Sequence, residues 1–252
     1  MDVIDWGVLD FESSSGRQQR LVRARLDGRA PDRLILVEHP PVVAIGRSGA
    51  ESDLLLSEML LREKGVEVRR AARGGKTTYH GPGQLVVYPI VELRPRDLHR
   101  YVQLLLESLA ALLREYRLEP VRRDGEPGIW VQGKKIASIG VAVKRWVTSY
   151  GIALNVNNDL APFAWIVPCG NPREKVTSMA EELGRMVDFS RVKERLVALL
   201  LPAIGSEKGT TRHPSWLQLR APESGPIEAM EEMLQAEEMA SVDDNGPLNL
   251  CG

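Results

Sequence analysis

A single thiol stands between a proline and a glycine in the segment VPCGN, residues 167–171. Free cysteines are most often small buried apolar residues, and a free thiol is mostly protonated at neutral pH. A catalytic cysteine therefore needs a cation or a base close to it. The sequence offers Lys135 and His80 for that role, and spacing alone does not choose between them. Cys169 is accordingly a candidate nucleophile for acyl transfer, beside the alternative of an inert buried cysteine.

A glycine-rich segment, RGGKTTYHGPGQ at residues 73–84, is the second stretch suited to chemistry. Its glycines, proline and histidine do not fit the interior of a regular strand or helix, and paired glycines let a ligand approach the backbone closely. Hydrogen-bonding side chains surround them: Arg73, Lys76, Thr77, Thr78, Tyr79, His80 and Gln84. The segment is not a Walker A loop, because no Gly-Lys-Ser/Thr triplet follows a spaced glycine. We interpret it as a binding loop; the competing interpretation is a plain hairpin loop with a structural histidine.

Small residues accompany a pair of lysines in GKKIASIG, residues 133–140. Lysines at the start of a strand are usually solvated, and that is the ordinary interpretation of this pair. The small side chains leave room beside the strands, and they continue into the next strand-like run: Ala137, Ser138, Gly140, Gly151 and Ala153. A thin aliphatic chain fits such room, and burying about seven carbons at ~0.8 kcal/mol each contributes on the order of 5 kcal/mol of affinity.

The composition limits what kind of protein these stretches belong to. A chain of 252 residues, 43% of them hydrophobic, can bury a sizeable core in one or two domains, and a net charge of −1 argues against a whole-protein nucleic-acid binder. No apolar run is long enough to cross a bilayer, and the start MDVIDWGVLD lacks the pattern of a signal peptide. Two cysteines, Cys169 and Cys251, make no disulfide framework. We therefore expect a cytoplasmic protein without a nucleic-acid or membrane partner.

Strand-like and helical segments alternate irregularly along the chain. The strand-like runs are residues 33–46, 84–93, 128–133, 134–146 and 149–157, and the helical ones are 98–118, 176–183 and 189–201. The absence of a βαβ rhythm predicts an α+β fold, with a mixed, mostly antiparallel sheet flanked by helices. The turn-rich character beyond Pro202 predicts a catalytic domain at residues 1–205 and an extension at 206–252 with a short acidic helix over Pro226–Met239.

Five motifs together resemble the octanoyl-acyl-carrier-protein:protein octanoyltransferases, also called lipoyl(octanoyl) transferases. They are RGGKTTYHGPGQLVVY (73–88), KIASIG (135–140), YGIALNVNNDL (150–160), IVPCG (166–170) and VTSMAEEL (176–183). They occur in the family's order, and the resemblance covers about residues 1–203. The segment RHPSWLQLRAP (212–222) faintly resembles the leading part of lipoyl synthases.

The resemblance implies the fold of the biotin and lipoate protein ligase catalytic domains, and it also implies residue roles. Cys169 corresponds to the acyl-accepting cysteine and Lys135 to the lysine that pairs with it. The implied substrate-binding residues are Arg73, Gly74, Gly75, Lys76, Thr77, Thr78, Tyr79, His80, Ser138, Ile139, Gly140, Gly151, Ile152 and Ala153. Tyr150 is a departure, because a histidine commonly precedes the glycine there; this leaves His80 as the histidine of the pocket.

The resemblance further implies the reaction and its partners. Octanoyl-acyl carrier protein is the implied donor, and the acceptors are lipoyl domains of 2-oxoacid dehydrogenase complexes and the glycine cleavage H protein. A thioester is already activated, so neither a cofactor nor a metal is expected. Three alternatives stay open: an ATP-dependent lipoate or biotin ligase on the same fold, a Cys–His thioester hydrolase, and a non-catalytic binding protein.

Overall fold

The computed structural model describes residues 1–205. The predicted extension, with its acidic helix and Cys251, lies outside the described residues. The helices are α1 (Phe11–Leu26), α2 (Glu58–Glu63), α3 (Leu98–Glu115), α4 (Met179–Leu183) and α5 (Phe189–Ile204). The strands are β1 (Asp2–Val8), β2 (Arg33–Glu38), β3 (Val42–Ile45), β4 (Glu67–Arg70), β5 (Thr77–His80), β6 (Gln84–Ile90), β7 (Val121–Arg123), β8 (Glu126–Val131), β9 (Lys134–Lys144) and β10 (Val147–Asn155). Single turns of 3₁₀ helix cover Glu51–Asp53, Ala161–Trp165 and Pro168–Gly170.

Two sheets make up the β structure. The larger has seven strands in the order β1-β2-β6-β10-β9-β8-β7, and the smaller has three in the order β4-β3-β5. Within the larger sheet β1 and β2 run parallel and all other neighbours are antiparallel. In the smaller sheet β3 is parallel to β4 and antiparallel to β5. This mixed, mostly antiparallel α+β arrangement confirms the predicted fold class.

The central strands are buried on both faces, because helices cover the two sides of the larger sheet. Alternate residues of β2 and β6 point to opposite faces, as strand geometry requires. One face packs against α3 and α5, whose apolar stripes supply Leu105, Leu109 and Leu196 to the core. The other face packs against α1, which supplies Phe11 and Leu21. The smaller sheet has a separate core with α2.

The helices begin where side chains cap them. Asp97 accepts a hydrogen bond from the backbone N–H of Arg100 at the start of α3, and Asp188 does the same for Arg191 at the start of α5. The helix predicted over 98–118 ends at Glu115, because Arg117 takes a positive φ of 60°. Within residues 1–205, no helix has the length and apolar character needed to cross a membrane.

Two local predictions were wrong. Residues 176–183 are helical only from Met179, because Val176 forms a parallel bridge with Lys135 and Ser178 caps the short helix. The segment 73–84 is irregular only at its ends, since Thr77–His80 forms β5. Pairing with β3 supplies the backbone hydrogen bonds that make a strand possible between two glycine-rich turns.

Candidate active site

Lys135 and Cys169 meet although 34 residues separate them. The ammonium nitrogen Nζ of Lys135 lies 3.1 Å from Sγ of Cys169, within hydrogen-bonding distance of the sulfur. The lysine is only 5% exposed, whereas the cysteine is partly accessible. The structure thus brings the end of a buried lysine side chain into direct contact with the sulfur.

The backbone at Cys169 is held in an unusual conformation. Within the turn Pro168–Gly170, Cys169 has a φ of 53° and a ψ of 19°, the left-handed region that non-glycine residues seldom occupy. The turn is anchored before it, where the N–H of Val167 donates to the carbonyl of Asp53 at 2.7 Å. After it, the side chain of Lys76 covers Gly170. Such strain at a nucleophile is typical of functional sites, where it presents the side chain to the substrate.

A β-bulge turns the side chain of Lys135 toward the same face as Ser138. The pairing of β8 with β9 skips one residue, Ile136, between Lys135 and Ala137. In a regular strand, residues 135 and 138 would point to opposite faces, because side chains alternate. With the extra residue, Lys135 and Ser138 both line the cavity, while Ile136 and Ala137 join the core. Bulges re-aim side chains next to active sites in this way.

A second strand-like contact fixes the lysine backbone. The N–H of Lys135 donates to the carbonyl of Lys175 at 2.7 Å, and the N–H of Thr177 donates to the carbonyl of Lys135 at 2.9 Å. The segment that follows the cysteine turn is thus hydrogen-bonded directly to the lysine. Lys135 and the segment that carries Cys169 are therefore held together by the backbone as well as by their side chains.

A cavity of about 230 Å³ opens beside this pair. Small-molecule sites usually span about 300–1000 Å³, so this one suits a slim ligand. Fourteen of the sequence-predicted site residues line it: Cys169, Lys135, Arg73, Gly74, Gly75, Lys76, Thr78, His80, Ser138, Ile139, Gly140, Gly151, Ile152 and Ala153. Exposed residues also line the cavity: Gly75 and Lys76 before β5, and residues 125–127 at the start of β8.

Two predicted residues, Thr77 and Tyr79, do not line the cavity. They lie on β5 between the cavity-lining Thr78 and His80, and alternation points them the other way. The hydroxyl of Thr77 donates to Asp53 at 2.6 Å, and Tyr79 belongs to the core of the smaller sheet. Their positions indicate a structural contribution.

Arg73 braces the glycine-rich loop from inside. Its buried guanidinium donates to three backbone carbonyls, those of Gly74 at 3.1 Å, Lys76 at 3.0 Å and Ala44 at 2.8 Å. Burial lowers the pKa of Arg73 from its ordinary value, yet arginine stays protonated in proteins. The absence of a side chain at Gly140 makes room for it, since a Cβ there would lie 2.9 Å from Cδ of Arg73.

The hydrogen bonds around His80 define its tautomer. Nδ1 of His80 lies 2.6 Å from Oε1 of Gln84. The amide nitrogen of Gln84 donates to the carbonyl of Tyr79 and to Oδ1 of Asn155, so its oxygen is an acceptor. The hydrogen of His80 is accordingly assigned to Nδ1, and Nε2 is left as an acceptor.

His80 is neutral at physiological pH. Burial lowers the pKa of His80 to about 3, and the nearby charges of His39 and Arg73 act in the same direction. Within residues 1–205 it forms no hydrogen bond with Cys169. Of the two candidates that the sequence left open as partner of the cysteine, Lys135 is the one whose side chain is hydrogen-bonded to the sulfur.

Three aromatic rings that sequence reasoning missed line part of the cavity, and we call Phe11, Tyr88 and Tyr150 the aromatic wall. Tyr88 and Tyr150 belong to two of the motifs but were not assigned to the cavity, and Phe11 lies outside all five, where its apolar character is that of an ordinary core residue. The rings of Tyr88 and Tyr150 meet edge-to-face at 5.9 Å, and Phe11 lies 6.5 Å from Tyr150. The Tyr150 hydroxyl is engaged away from the pair, 3.1 Å from Oγ of Ser15 and accepting from the N–H of Ala72 at 3.4 Å. Val86 is a further missed lining residue.

The amino-acid sequence of this chain is similar to those of known proteins. The model of the lipoyl protein ligase A/B catalytic domain family matches residues 11–200. The octanoyltransferase of Geotalea uraniireducens (strain Rf4) is 44% identical over 200 residues, 79% of this chain and 90% of that protein. The octanoyltransferase of Rubrobacter xylanophilus is 43% identical over 201 residues, 79% of this chain and 91% of that protein.

Solved structures with the same fold are more distant in sequence. Lipoate-protein ligase A bound with ATP matches with a TM-score of 0.71 at 16% identity, covering 93% of this chain and 92% of that one. Biotin protein ligase from Aquifex aeolicus in complex with biotin and ATP matches with a TM-score of 0.52 at 14% identity, covering 81% and 69%. At these identities the likeness concerns the fold, which confirms the predicted ligase-like architecture.

Proposed function

Because the chain belongs to the lipoyl protein ligase A/B catalytic domain family, we propose that Cys169 carries the acyl group of an octanoyltransferase reaction. Octanoyl transfer in protein lipoylation is the activity of this chain, since its octanoyltransferase relatives match about four fifths of it at over 40% identity. The observation that supports the covalent route is the 3.1 Å contact between Nζ of Lys135 and Sγ of Cys169.

In the first half-reaction the thiolate of Cys169 attacks the thioester carbonyl of octanoyl-acyl carrier protein. A bond forms between Sγ and the carbonyl carbon, and the bond to the phosphopantetheine sulfur breaks. The ammonium of Lys135 gives its proton to the departing sulfur, so the products are octanoyl-Cys169, a neutral lysine and a free carrier thiol.

In the second half-reaction the neutral Lys135 takes a proton from the lysine of the acceptor protein. This step matters because a free lysine, with a pKa of about 10.4, is almost wholly protonated at pH 7. The acceptor amine attacks octanoyl-Cys169, its second proton leaves to solvent, and an amide forms as the thiolate departs. Lys135 is again an ammonium beside a thiolate.

The walls of the cavity support an alkyl substrate. Ser138 lies opposite Ala153 and Gly140 lies opposite Gly151 across the β9–β10 pair, so four small residues form a trough. Val86 and the aromatic wall supply apolar surface beside the trough. We propose lipoyl domains, including those of 2-oxoacid dehydrogenase complexes and the glycine cleavage H protein, as acceptors, and the cytoplasm as the compartment.

Intact-mass measurement tests the covalent intermediate. After incubation with octanoyl-acyl carrier protein, the wild-type protein should gain one octanoyl group on Cys169, and adding a lipoyl domain should move it to the acceptor lysine. Cys169→Ser should show no thioester adduct and no transfer. Lys135→Ala should lower the rate about 100-fold or more, because it removes the proton donor and acceptor.

Lys134→Ala is the matched control, since that neighbouring lysine pairs with Glu182 at 2.6 Å instead of facing the cavity. We expect its transfer rate to stay near the wild-type rate. Full activity of Cys169→Ser would contradict the covalent route, and unaffected turnover of Lys135→Ala near neutral pH would remove Lys135 from the mechanism.

The same assay separates the alternatives. A requirement for ATP with free octanoate would indicate a ligase, release of free octanoate without acceptor would indicate a hydrolase, and binding without an adduct would indicate a non-catalytic protein. The neutral, buried His80 argues against the Cys–His hydrolase, because among the residues that the structure describes the hydrogen bond to the sulfur comes from Lys135 and not from His80.

A further inference from the structure

The side chain of Lys135 lies against two neighbours on β8, and neither has a role in the reaction as described so far. Trp130 is the direct cross-strand partner of Lys135, and Gly128 is the partner of Ser138. Nζ of Lys135 lies 4.9 Å from the centroid of the Trp130 ring. The ring is 1% exposed, so its contact with the lysine is shielded from water. Contacts between a cation and an aromatic face are strongest when water is excluded.

The Trp130 ring is itself fixed by a buried carboxylate. Its Nε1–H donates to Oε1 of Glu174 at 3.0 Å, and the Glu174 side chain is 2% exposed. The guanidinium of Arg123 lies 4.4 Å from the ring centroid and 3.5 Å from the same carboxylate oxygen. A carboxylate that accepts from the indole N–H polarises the ring and favours a cation on its face. The ring is thus held in position by contacts that do not involve Cys169.

Gly128 provides the space that Lys135 occupies. A Cβ at this position would lie 2.6 Å from Cε of Lys135 and 2.8 Å from the carbonyl oxygen of Ala137. Any side chain at residue 128 would therefore displace the end of the lysine, the strand, or both. The lysine reaches Cys169 across the gap that this glycine leaves.

We propose that Trp130 is a positioning residue that holds the ammonium of Lys135 beside Cys169. Gly128 leaves the space that the lysine side chain needs to reach the sulfur. Among residues 1–205, no carboxylate pairs with Nζ of Lys135, which contacts the sulfur and the Trp130 ring instead. Four rotatable bonds would otherwise let the lysine leave the sulfur. This inference rests on the proposed role of Lys135.

The test is the rate at which iodoacetamide alkylates Cys169, measured from pH 6 upward in the full-length protein. Trp130→Leu should slow alkylation near neutral pH about tenfold, and it should slow octanoyl-Cys169 formation to a similar extent. Trp130→Phe keeps an aromatic face and should recover most of both rates. Gly128→Ala should resemble Trp130→Leu.

The pH dependence distinguishes positioning from general damage. At about pH 9.5 a thiol ionises without help, so the alkylation deficit of Trp130→Leu should shrink there. A misfolded site would be slow at every pH, and that outcome would overturn the proposal. Equal rates for Trp130→Leu and the wild-type protein would overturn it as well.

Two controls match the variants. The guanidinium of Arg96 lies 5.9 Å from the centroid of the Trp146 ring, but Trp146 does not line the cavity. Trp146→Leu should therefore leave the alkylation rate of Cys169 unchanged. Gly16→Ala places a Cβ no closer than 3.9 Å to any neighbour and should also be neutral. Alkylation needs no acyl donor, so the two proposals can fail separately. A missing octanoyl adduct on the wild-type protein would reject the proposed function, whereas the alkylation rates would still test the role of Trp130.

Discussion

At the scale of single residues, the two candidate partners of Cys169 differ in what their side chains contact. Nζ of Lys135 lies 3.1 Å from the sulfur, whereas His80 is a buried neutral ring that points its hydrogen at Gln84. Both residues are equally prominent in the sequence. Only the distances and the burial, which depend on the fold, distinguish the residue beside the sulfur from one that only lines the cavity.

The buried histidines predict how stability depends on pH. The pKa of His80 is lowered to about 3 in the folded protein, and burial also lowers that of His39, whereas an unfolded histidine has a pKa of about 6.5. Below that value the unfolded chain binds protons that the folded chain does not. The free energy of unfolding should therefore fall as the pH drops from about 6.5 toward 5, by roughly 1.4 kcal/mol per pH unit for His80 at the steepest, and His39 acts in the same direction.

Denaturant unfolding at several pH values between 5 and 7.5 measures this slope. His80→Gln should reduce the slope in this window, even if the variant is less stable at every pH. His99→Gln is the matched control, because His99 is exposed near the start of α3, and it should leave the slope unchanged. A wild-type slope identical to that of His80→Gln would contradict the assignment of His80 as a neutral buried ring.

At the scale of elements, the sequence predicts strands and helices well but not the irregularities that shape the site. The stripe of α3 and the three consecutive antiparallel strands β8 to β10 follow from periodicity and short connections. The bulge at Ile136 and the strand β5 do not. A bulge depends on which residue of the partner strand is opposite, and β5 depends on pairing with distant β3, so neither is a property of local sequence.

The strand register also predicts where an acyl chain stops. Cys169 shares a small pocket with Ser138 and Ala153, and Ala153 lies opposite Val86 on β6. Tyr88 follows Val86 by two residues on the same strand, about 7 Å further along. Tyr150 contacts Tyr88 and Phe11 contacts Tyr150, so we expect the aromatic wall to limit the acyl chain at the end away from the sulfur.

Replacing one ring of the aromatic wall by a smaller side chain should let the cavity accept a longer acyl chain. Phe11→Leu should raise the rate of acyl-Cys169 formation from decanoyl- relative to octanoyl-acyl carrier protein by about tenfold, because one or two methylenes are worth that much in an apolar pocket. Competition between the two donors, read by intact mass, measures the ratio. Phe189→Leu, on α5 and outside the cavity lining, should leave the ratio unchanged. A proportional loss on both donors would show that Phe11 does not set the limit.

At the scale of the whole molecule, the cavity lies where two sheets meet. The larger sheet supplies the trough and Lys135, and the smaller sheet supplies Thr78 and His80 from β5. The order of motifs along the chain predicted most of the cavity lining, because those motifs contain the strands and turns that build it. The motifs did not predict Phe11, since α1 contributes it from a segment without any chemical signature.

The last prediction concerns the boundary at residue 205. All of the core and cavity described above lies before it, α5 ends at Ile204, and the family match ends at residue 200. We therefore propose that residues 1–205 form the catalytic domain and that residues 206–252 are an extension that the chemistry does not need. A chain that ends at Gly205 should unfold at the wild-type temperature and transfer octanoyl groups at the wild-type rate within about twofold.

A chain that ends at Asp188 is the matched comparison. It loses α5 and with it the fully buried Leu196 and Leu200, so it should fail to fold, since each such side chain contributes about 2–5 kcal/mol. This shows that the assay detects the loss of a required element. If the chain ending at Gly205 folds and forms octanoyl-Cys169 but no longer passes the group to a lipoyl domain, the extension belongs to acceptor recognition. If it cannot form the adduct, the extension belongs to the donor step, and the boundary of the catalytic domain must then be moved beyond residue 205.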